Sequence, residues 1–406
     1  MKILPITFLL YFQILISSII ILIFLISSII LMIFCCNKDN FYVKFIYDKF
    51  IKIKEEDTKE ETDINIFKKS KKAIKFYNFP PSVGLKKVNF PNYINSTLQC
   101  LSQTEPLTNY FLRKKSEEFE EKKFVLGYFD LIDNLWSKNI ITSSIAPNGF
   151  INIIQERNPS FKLDQPGNYK ELIIFILDNI HKDLKVDKNL NDSDKIEPNE
   201  YDQISTFNYY NNKFSKDTSI ISNIFFGTNE VKGECAKLKN FSKGIPISYK
   251  YQKFNCLKFP LDEISELQNY VTLEDCFKYN QKKEEIDICS YCNEFDSKQT
   301  SNIYIAPDIL ILILDRGNEI LSNVVLEFEE TIDITQFVII KEKDKITYNL
   351  YAVLTHTDQN NFLAFCKSPV NKKWYKFDDD KVNLIRNYKK TVINCFNPDI
   401  LFYQKN

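Results

Sequence analysis

The sequence predicts an α+β protein preceded by an N-terminal transmembrane helix. Three observations support this prediction. Residues 6–34 are almost wholly apolar. The apolar spacings typical of amphipathic helices fall in the first half of the remaining chain. The unbroken or alternating apolar patterns typical of strands fall in its last third.

The apolar run begins at Ile6, ends at Phe34 and contains no charged residue. A helix that spans a bilayer needs about 20 apolar residues, so a run of this length suffices with some tilt. A signal peptide has an apolar region of only about 7–15 residues followed by a small-residue cleavage site, and neither feature is present. We therefore expect an uncleaved signal anchor over residues 1–36.

The charges beside this run predict its orientation. Lysines are enriched just after the run, whereas only Lys2 and the amino terminus precede it. Because cytoplasmic flanks carry the excess of lysine and arginine, we expect a single-pass membrane protein whose C-terminal part is cytoplasmic. Cys35 and Cys36 are either palmitoylation sites or two small apolar residues that finish the helix.

Residues 37–80 mix both charges and are expected to form a juxtamembrane charged linker.

The composition excludes some classes of partner. Lysine plus arginine and aspartate plus glutamate both number 53, so no net field attracts nucleic acid. Aromatic residues make up 14% of the chain, which argues against disorder. The 10 cysteines are scattered, as is typical of reduced thiols in the cytosol rather than of a small disulfide-rich domain.

Residues 84–101 combine a loop that contains proline with the start of a helix. Within them, an apolar stripe recurs at helical spacing at Tyr93, Ile94, Leu98 and Leu101. The segment resembles the cysteine box of the ubiquitin-specific proteases. The matching positions are Gly84, Leu85, Tyr93, Asn95, Ser96, Leu98 and Gln99. Because the resemblance continues to the end of the chain, we assign residues 81–406 to a ubiquitin-specific protease-like domain.

The resemblance fails where the chemistry of this family takes place. Asn92 stands at the position of the nucleophilic cysteine, and Lys87 at that of the oxyanion-stabilising asparagine. An amide has no thiolate and cannot form the acyl intermediate, although asparagine makes a good helix N-cap. Cys100 lies about 12 Å further along the helix axis, and we interpret it as a core residue rather than a replacement nucleophile.

Two further boxes near the C-terminus resemble the family. In the Gly-His-Tyr box, represented here by residues 360–365, Asn361 replaces the general base. His356 precedes Asn361 by five residues, up to about 16 Å in an extended strand, and this odd offset turns it to the opposite face. In the acid box, residues 374–382, Asp378 occupies the position of the acid that orients the histidine. With no imidazole to orient, we expect Asp378 to be a structural carboxylate.

The remaining matches concern ubiquitin and zinc. A helix that begins near Glu171 resembles one that helps to hold the ubiquitin tail, so Glu171 is either a ubiquitin-binding residue or a solvated helix residue. The fingers of this family, about residues 228–305 here, often bind zinc through two Cys-x-x-Cys pairs. Cys289 and Cys292 form one pair, but only Cys235 remains of the other. Three soft ligands leave a zinc site open, so we expect this degenerate site to be empty and the domain to need no cofactor.

The resemblance implies a papain-like palm and thumb with β-rich fingers. The aliphatic run Pro307–Asp315 fits a buried strand of such a fold. With the cysteine and the histidine of the triad replaced, we expect a membrane-anchored pseudo-deubiquitinase that binds ubiquitin, a ubiquitin-like protein or another partner without cleaving it. Two alternatives remain. One is an interaction or scaffold protein that does not bind ubiquitin, because Phe362 and Lys87 crowd the cleft and Asn168 replaces an acid. The other is an active deubiquitinase with unfamiliar chemistry.

Overall fold

The structure is a computed structural model. It describes residues 83–87, 93–136, 142–161, 169–187, 200–234, 247–265, 270–281, 284–286, 297–316, 324–341, 345–358, 361–395 and 397–406. The chain divides into two compact units, Met1–Ala73 and Ile74–Asn406. The predicted anchor at residues 6–34 and the linker lie outside the described residues and stay predictions. Among the helices of the described stretches, none is both long and apolar enough to cross a membrane.

Helices occupy the first part of the described chain, and strands dominate the rest. The α-helices are α1 (Tyr93–Ser102), α2 (Glu105–Leu112), α3 (Lys123–Trp136), α4 (Asn148–Arg157), α5 (Tyr169–Leu184), α6 (Gln203–Ser215), α7 (Ile220–Phe225), α8 (Leu261–Ile264) and α9 (Leu273–Asn280). The strands that start before residue 300 are β1 (Gly84–Leu85), β2 (Ser144–Ile145), β3 (Val186–Asp187), β4 (Asp217–Thr218), β5 (Gly227–Glu234), β6 (Ile247–Phe254), β7 (Leu257–Pro260), β8 (Tyr270–Thr272), β9 (Glu284–Ile286) and β10 (Ser297–Ile305). The later strands are β11 (Ile309–Asp315), β12 (Val325–Glu327), β13 (Thr331–Asp333), β14 (Thr347–Asp358), β15 (Asn361–Lys367), β16 (Trp374–Asp378), β17 (Lys381–Leu384) and β18 (Pro398–Lys405).

A large sheet forms the centre of the domain. Its strands follow the order β17-β16-β15-β14-β18-β11-β7, and β13 also pairs with β14. The pairs are antiparallel except for β7, which runs parallel to β11 with Leu257 opposite Leu312. The α+β class predicted from the sequence is confirmed.

Both faces of this sheet are covered by packed side chains, as the alternating residues of β11 show. Ile309, Ile311 and Ile313 pack into one core together with the helices α1, α3 and α5. The alternate residues Leu310, Leu312 and Leu314 pack into a second core on the other face, with α9. A strand buried on both faces needs an unbroken aliphatic run, so the strand predicted within Pro307–Asp315 is confirmed.

A smaller sheet has the strand order β6-β5-β10-β9. Phe207 of α6 packs against it, with ring centroids 5.3 Å from Tyr251 and 5.0 Å from Tyr304. This sheet runs from Gly227 to Ile305, close to the span of about 228–305 predicted for the fingers. That span is not uniform, however, because β7 belongs to the central sheet and α9 to the second core.

The helix and apolar stripe predicted at the cysteine box are present in α1, and the stripe packs into the core on one face of the central sheet. Tyr93, Ile94, Leu98 and Leu101 are all at most 1% exposed. The sulfur atom of Cys100 lies 4.0 Å from that of Cys366 on β15. Burial of these side chains fixes α1, whose N-terminus follows the position of Asn92, against β15.

We expect the substitution Ile313→Ala to lower the free energy of unfolding by about 2–5 kcal/mol, because it leaves a cavity at a fully buried position of the central sheet. Urea unfolding followed by tryptophan fluorescence measures this, since Trp136 and Trp374 are both buried in this domain. The matched substitution Ile339→Ala, at a side chain that is 40% exposed, should change stability by only about 0.5 kcal/mol. Equal losses in the two variants would contradict this packing.

Candidate functional site

The position that the resemblance assigns to the general base lies at the start of β15. The Asn361 side-chain amide donates a hydrogen bond to Thr357 Oγ1 at 2.9 Å. An amide cannot accept a proton at neutral pH, so Asn361 serves as a hydrogen-bond partner for the neighbouring strand and not as a base.

His356 lies on β14, next to this position but turned away from it. In the antiparallel pair, His356 is opposite Phe362, and Asp358 is opposite Asn361. Because neighbouring strand residues point to opposite faces, His356 shares a face with Phe362 and not with Asn361, as predicted. The separation between His356 and Asn361 of up to about 16 Å, expected for a single extended strand, is wrong. The two residues lie on paired antiparallel strands, which brings them closer together.

Asp378, at the position of the family acid, ends β16. Its carboxylate forms an ion pair with Lys376 Nζ at 3.3 Å, and its side chain is 33% exposed. The next residue, Asp379, has a positive φ of 51° and accepts a hydrogen bond from Asn95 Nδ2 at 2.8 Å. Asp378 therefore pairs with a lysine, and Asp379 joins the acid box to α1.

Residues that match the cysteine box tie α1 to its surroundings. Asn95 Nδ2 also donates to the Lys86 carbonyl at 3.2 Å, and Gln99 Nε2 donates to the Val83 carbonyl at 3.1 Å. Both side chains are almost fully buried. These bonds hold the segment before α1 in place and do not depend on a thiol.

Gly84 allows this segment to approach the acid box closely. A Cβ atom at Gly84 would lie 2.5 Å from the carbonyl oxygen of Asp380. The neighbouring Leu85 N–H donates to the Asp379 carbonyl at 2.9 Å. The glycine of the cysteine box therefore has a steric reason to be present.

A buried polar network lies beside this site. His356 Nδ1 lies 2.7 Å from Asp399 Oδ2, and the two side chains are 1% and 0% exposed. The Tyr169 hydroxyl donates to Asp399 Oδ1 at 2.8 Å. The network joins β14, β18 and the start of α5. Sequence reasoning missed it, although an aspartate inside the apolar run Pro398–Tyr403 was the available signal.

Asp399 influences the pKa of two neighbouring side chains. Burial lowers the pKa of Arg316, and the charge of Asp399 opposes this shift. Burial, together with the charge of Asp399 and its hydrogen bond, raises the pKa of Tyr169. The phenol therefore stays protonated and remains a donor to the carboxylate. A carboxylate with these partners is satisfied without water.

An aromatic cluster, defined as Tyr93, Tyr169, His356 and Phe362, packs around the two ring-bearing members of this network, Tyr169 and His356. The Phe362 ring centroid lies 6.0 Å from Tyr93, 5.3 Å from Tyr169 and 5.9 Å from His356. Phe362 is 5% exposed and His356 is 3% exposed. Burial also raises the pKa of Tyr93 to about 12. Side chains of α1, α5, β14 and β15 thus meet at Phe362.

The second histidine belongs to a different network. His181 Nδ1 lies 2.7 Å from Ser219 Oγ, and His181 Nε2 lies 3.2 Å from Asp217. Ser219 caps α7 by accepting hydrogen bonds from the N–H groups of Ile221 and Ser222. Its oxygen is therefore a structural cap, and the histidine orients that cap.

The cysteines that the structure describes are buried or half-buried thiols. Among the described residues, the five free cysteines are Cys100, Cys256, Cys276, Cys366 and Cys395. Within the described stretches, none of these five thiols forms a hydrogen bond with a histidine ring, because His181 bonds to Ser219 and His356 to Asp399. Burial raises the pKa of Cys366 well above its usual value, and the neighbouring Cys100 reinforces this. Cys100 is fully buried against Cys366, which agrees with its interpretation as a core residue.

The other predicted site residues have mixed outcomes. Lys87 is exposed, and Glu171 is exposed in the first turn of α5, where a carboxylate interacts favourably with the helix dipole. Asn92 lies outside the described residues, so its predicted role as an N-cap stays a prediction. Cys235, Cys289 and Cys292 also lie outside them. The described stretches contain no group of three potential ligands that could hold a metal ion.

The family follows from a comparison of the whole domain. A sequence model described as ubiquitin carboxyl-terminal hydrolase matches residues 83–403. The chain belongs to this family. The matched residues include the cysteine, histidine and acid boxes. The family membership predicted from these boxes is therefore confirmed.

Individual relatives agree with this assignment. Ubiquitin carboxyl-terminal hydrolase Usp2 of Drosophila melanogaster is 25% identical over 352 residues, which cover 79% of this chain and 34% of the relative. Ubiquitin carboxyl-terminal hydrolase 2 of Bos taurus is 24% identical over 347 residues, covering 79% of this chain and 54% of the relative. The chain thus spans about a third to a half of the length of these relatives.

Solved structures share the fold. The module named "SAGA DUB module", which contains Ubp8, Sgf11, Sus1 and Sgf73 and was solved with monoubiquitin, has a chain that aligns with a TM-score of 0.59 at 18% identity. The alignment covers 86% of this chain and 76% of that chain. The same module bound to ubiquitin aldehyde gives a TM-score of 0.58 at 18% identity. The ubiquitin-specific protease-like fold of the domain is therefore confirmed.

We expect Tyr169→Phe to lower the free energy of unfolding by about 1.5–3 kcal/mol, because it removes a hydrogen bond to a buried charged group. Urea unfolding measures the loss. Tyr209→Phe is the matched control, since the Tyr209 hydroxyl has no hydrogen bond to a described residue, and it should change stability by about 0.5 kcal/mol. Equal stability of Tyr169→Phe and the wild type would contradict the network around Asp399.

Proposed function

We propose that this protein is a membrane-anchored pseudo-deubiquitinase, a ubiquitin-binding module that does not hydrolyse ubiquitin conjugates. One observation carries the proposal. Where the resemblance requires a general base, Asn361 holds an amide bonded to Thr357, and the nearby His356 is buried against Asp399. Residues 6–34 would anchor the domain to a membrane, with the C-terminal part in the cytoplasm.

The chemistry of the family explains why this substitution matters. A cysteine protease needs a thiol within hydrogen-bond reach of a base, and the base needs a third group that orients it. Here the family positions hold Asn92, Asn361 and Asp378, and Asp378 pairs with Lys376. Loss of the nucleophile or the base of such a triad costs about 10⁴–10⁶ in turnover. This arrangement therefore lacks the covalent thiol route to hydrolysis.

Ubiquitin is the partner that the relatives suggest. The family is named for ubiquitin hydrolysis, and the Ubp8 module was solved with monoubiquitin. The bonds of Asn95 and Gln99 preserve the local architecture of the cysteine box without its chemistry. Glu171 is exposed in the first turn of α5, the helix that the resemblance associates with the basic tail of ubiquitin.

Titration of the full-length protein in detergent with ubiquitin, followed by calorimetry, tests this proposal. We expect saturable binding without cleavage, and Glu171→Lys should weaken it about tenfold by reversing a charge that faces the basic tail. Glu121→Lys is the matched control at an exposed helix-flanking acid and should bind as the wild type does. Absence of binding at millimolar ubiquitin would contradict the ubiquitin-binding function.

A second function is favoured by the aromatic cluster. Phe362 is enclosed by Tyr93, Tyr169 and His356, and it leaves little space between α5 and the β14–β15 pair. In this alternative the domain is an interaction or scaffold protein that uses another face. Binding measurements with full-length ubiquitin and with ubiquitin that lacks its C-terminal tail distinguish the two functions. A module that holds the tail prefers the former, whereas a scaffold binds neither.

We expect the triple variant Asn92→Cys, Asn361→His and Lys87→Asn to be labelled by a thiol-reactive ubiquitin probe, because it returns the thiol, the base and the oxyanion donor to their family positions. Intact-mass spectrometry measures the adduct. The double variant without Asn92→Cys is the control and should remain unlabelled. A folded triple variant that is not labelled would mean that the cleft no longer admits the ubiquitin tail.

A further inference from the structure

A cavity of about 450 Å³ lies at the end of the central sheet, away from the site described above. Its lining includes Glu330, Lys367, Lys372, Lys373, Arg386 and Tyr388. Lys367 is the last residue of β15 and Asn361 is the first, so about 20 Å of strand separates the cavity from Asn361. The size lies within the range of small-ligand pockets.

The lining is strongly basic. It includes Lys367, Lys372, Lys373 and Arg386 but only one carboxylate, that of Glu330. The whole chain has a formal net charge of +0, so this excess is local. Cations gathered around one concave surface attract anions over a distance of several ångströms.

Glu330 neutralises only part of this charge. Its two carboxylate oxygens accept hydrogen bonds from Lys367 Nζ at 3.0 Å and from the Tyr388 hydroxyl at 2.8 Å. Burial favours a higher pKa for Glu330, but these hydrogen bonds and the charges of Lys367 and Lys389 lower it overall. Glu330 therefore stays ionised and occupied by Lys367.

Two cations of the lining remain available to a ligand. Lys372 forms an exposed ion pair with Glu105 at 3.4 Å. Lys373 and Arg386 are exposed and form no ion pair with the described residues. A guanidinium presents paired donors that suit two oxygens of one phosphate, while an ammonium adds a point charge.

The turn that carries the two lysines is fixed by its own hydrogen bonds. Ser368 Oγ accepts from the N–H groups of Val370 and Asn371 at 3.2 and 3.5 Å. The Asn371 side-chain oxygen accepts from the Lys373 N–H at 3.0 Å. Lys372 has a positive φ of 57°, which closes the turn. The backbone that carries the cations is thus organised before a ligand arrives.

The remaining wall is apolar. The rings of Trp374 and Tyr388 stack with an interplanar angle of 12° and centroids 6.2 Å apart. Leu384 is 49% exposed beside them. Such a wall excludes water on one side of the cavity and strengthens the electrostatic attraction on the other. A concave pocket of this size suits a compact anion better than the flat face of a protein.

From these features we propose that the cavity is a binding site for a compact anion with several phosphate groups, held by Lys373 and Arg386 with Lys372 in support. A polyphosphorylated sugar and the headgroup of a polyphosphorylated lipid share this chemistry. The cavity is distinct from the hydrogen-bonded site around Asn361, since its lining includes neither Asn361 nor Thr357, His356 or Asp399.

Calorimetric titration of the full-length protein in detergent with inositol trisphosphate tests the proposal. We expect binding that weakens with added salt and falls about tenfold or more in the variant Lys373→Glu with Arg386→Glu. Lys182→Glu with Lys250→Glu makes the same charge change at exposed lysines outside the cavity and should retain the affinity. Circular dichroism confirms that both variants are folded.

Three results would overturn the proposal. They are an absence of binding, equal losses in the two double variants, and binding of a hexaglutamate peptide as tight as that of inositol trisphosphate. The source of the anion follows from a competition experiment. Protein in phosphatidylcholine nanodiscs that contain phosphatidylinositol bisphosphate should lose affinity for inositol trisphosphate if the lipid occupies the cavity. It should keep that affinity if the ligand is a soluble anion, and either result requires the cavity to bind phosphate groups.

Discussion

The domain depends on one buried carboxylate. Asp399 on β18 is fully buried and binds both His356 of β14 and Tyr169 of α5. Because an unpaired charge in such a place costs several kcal/mol, these elements must stay together for the fold to persist. The same bond removes His356 from solvent, and Phe362 covers its ring. One interaction therefore both stabilises the domain and withdraws the nearest imidazole from chemistry.

In the cysteine box, the residues that maintain the fold differ from those at the positions that carry the reaction in the family. Asn95 and Gln99 hold the segment before α1 through hydrogen bonds, and Gly84 permits its close approach to Asp380. None of these contacts needs a thiol or an imidazole. A chain can therefore replace the cysteine and the histidine of this family and still build the same junction between α1 and the central sheet.

Much of the fold was predictable because its signals are local. The unbroken run in β11 and the helical stripe of α1 report burial directly, and both predictions hold. The site was less predictable, because Asp399 and Tyr169 lie 230 residues apart in sequence. Their bond depends on tertiary packing that no spacing reveals. The pairing of His356 with Phe362 was also missed, since linear distance ignores the return of an antiparallel strand.

The central claim is that the described part of the domain places no thiol beside an imidazole for catalysis. The most direct measurement is the release of a fluorophore from a ubiquitin C-terminal conjugate by the full-length protein at high enzyme concentration. We predict a rate equal to that of buffer over hours. Turnover that is abolished by replacing a single cysteine, with the fold intact, would contradict the claim.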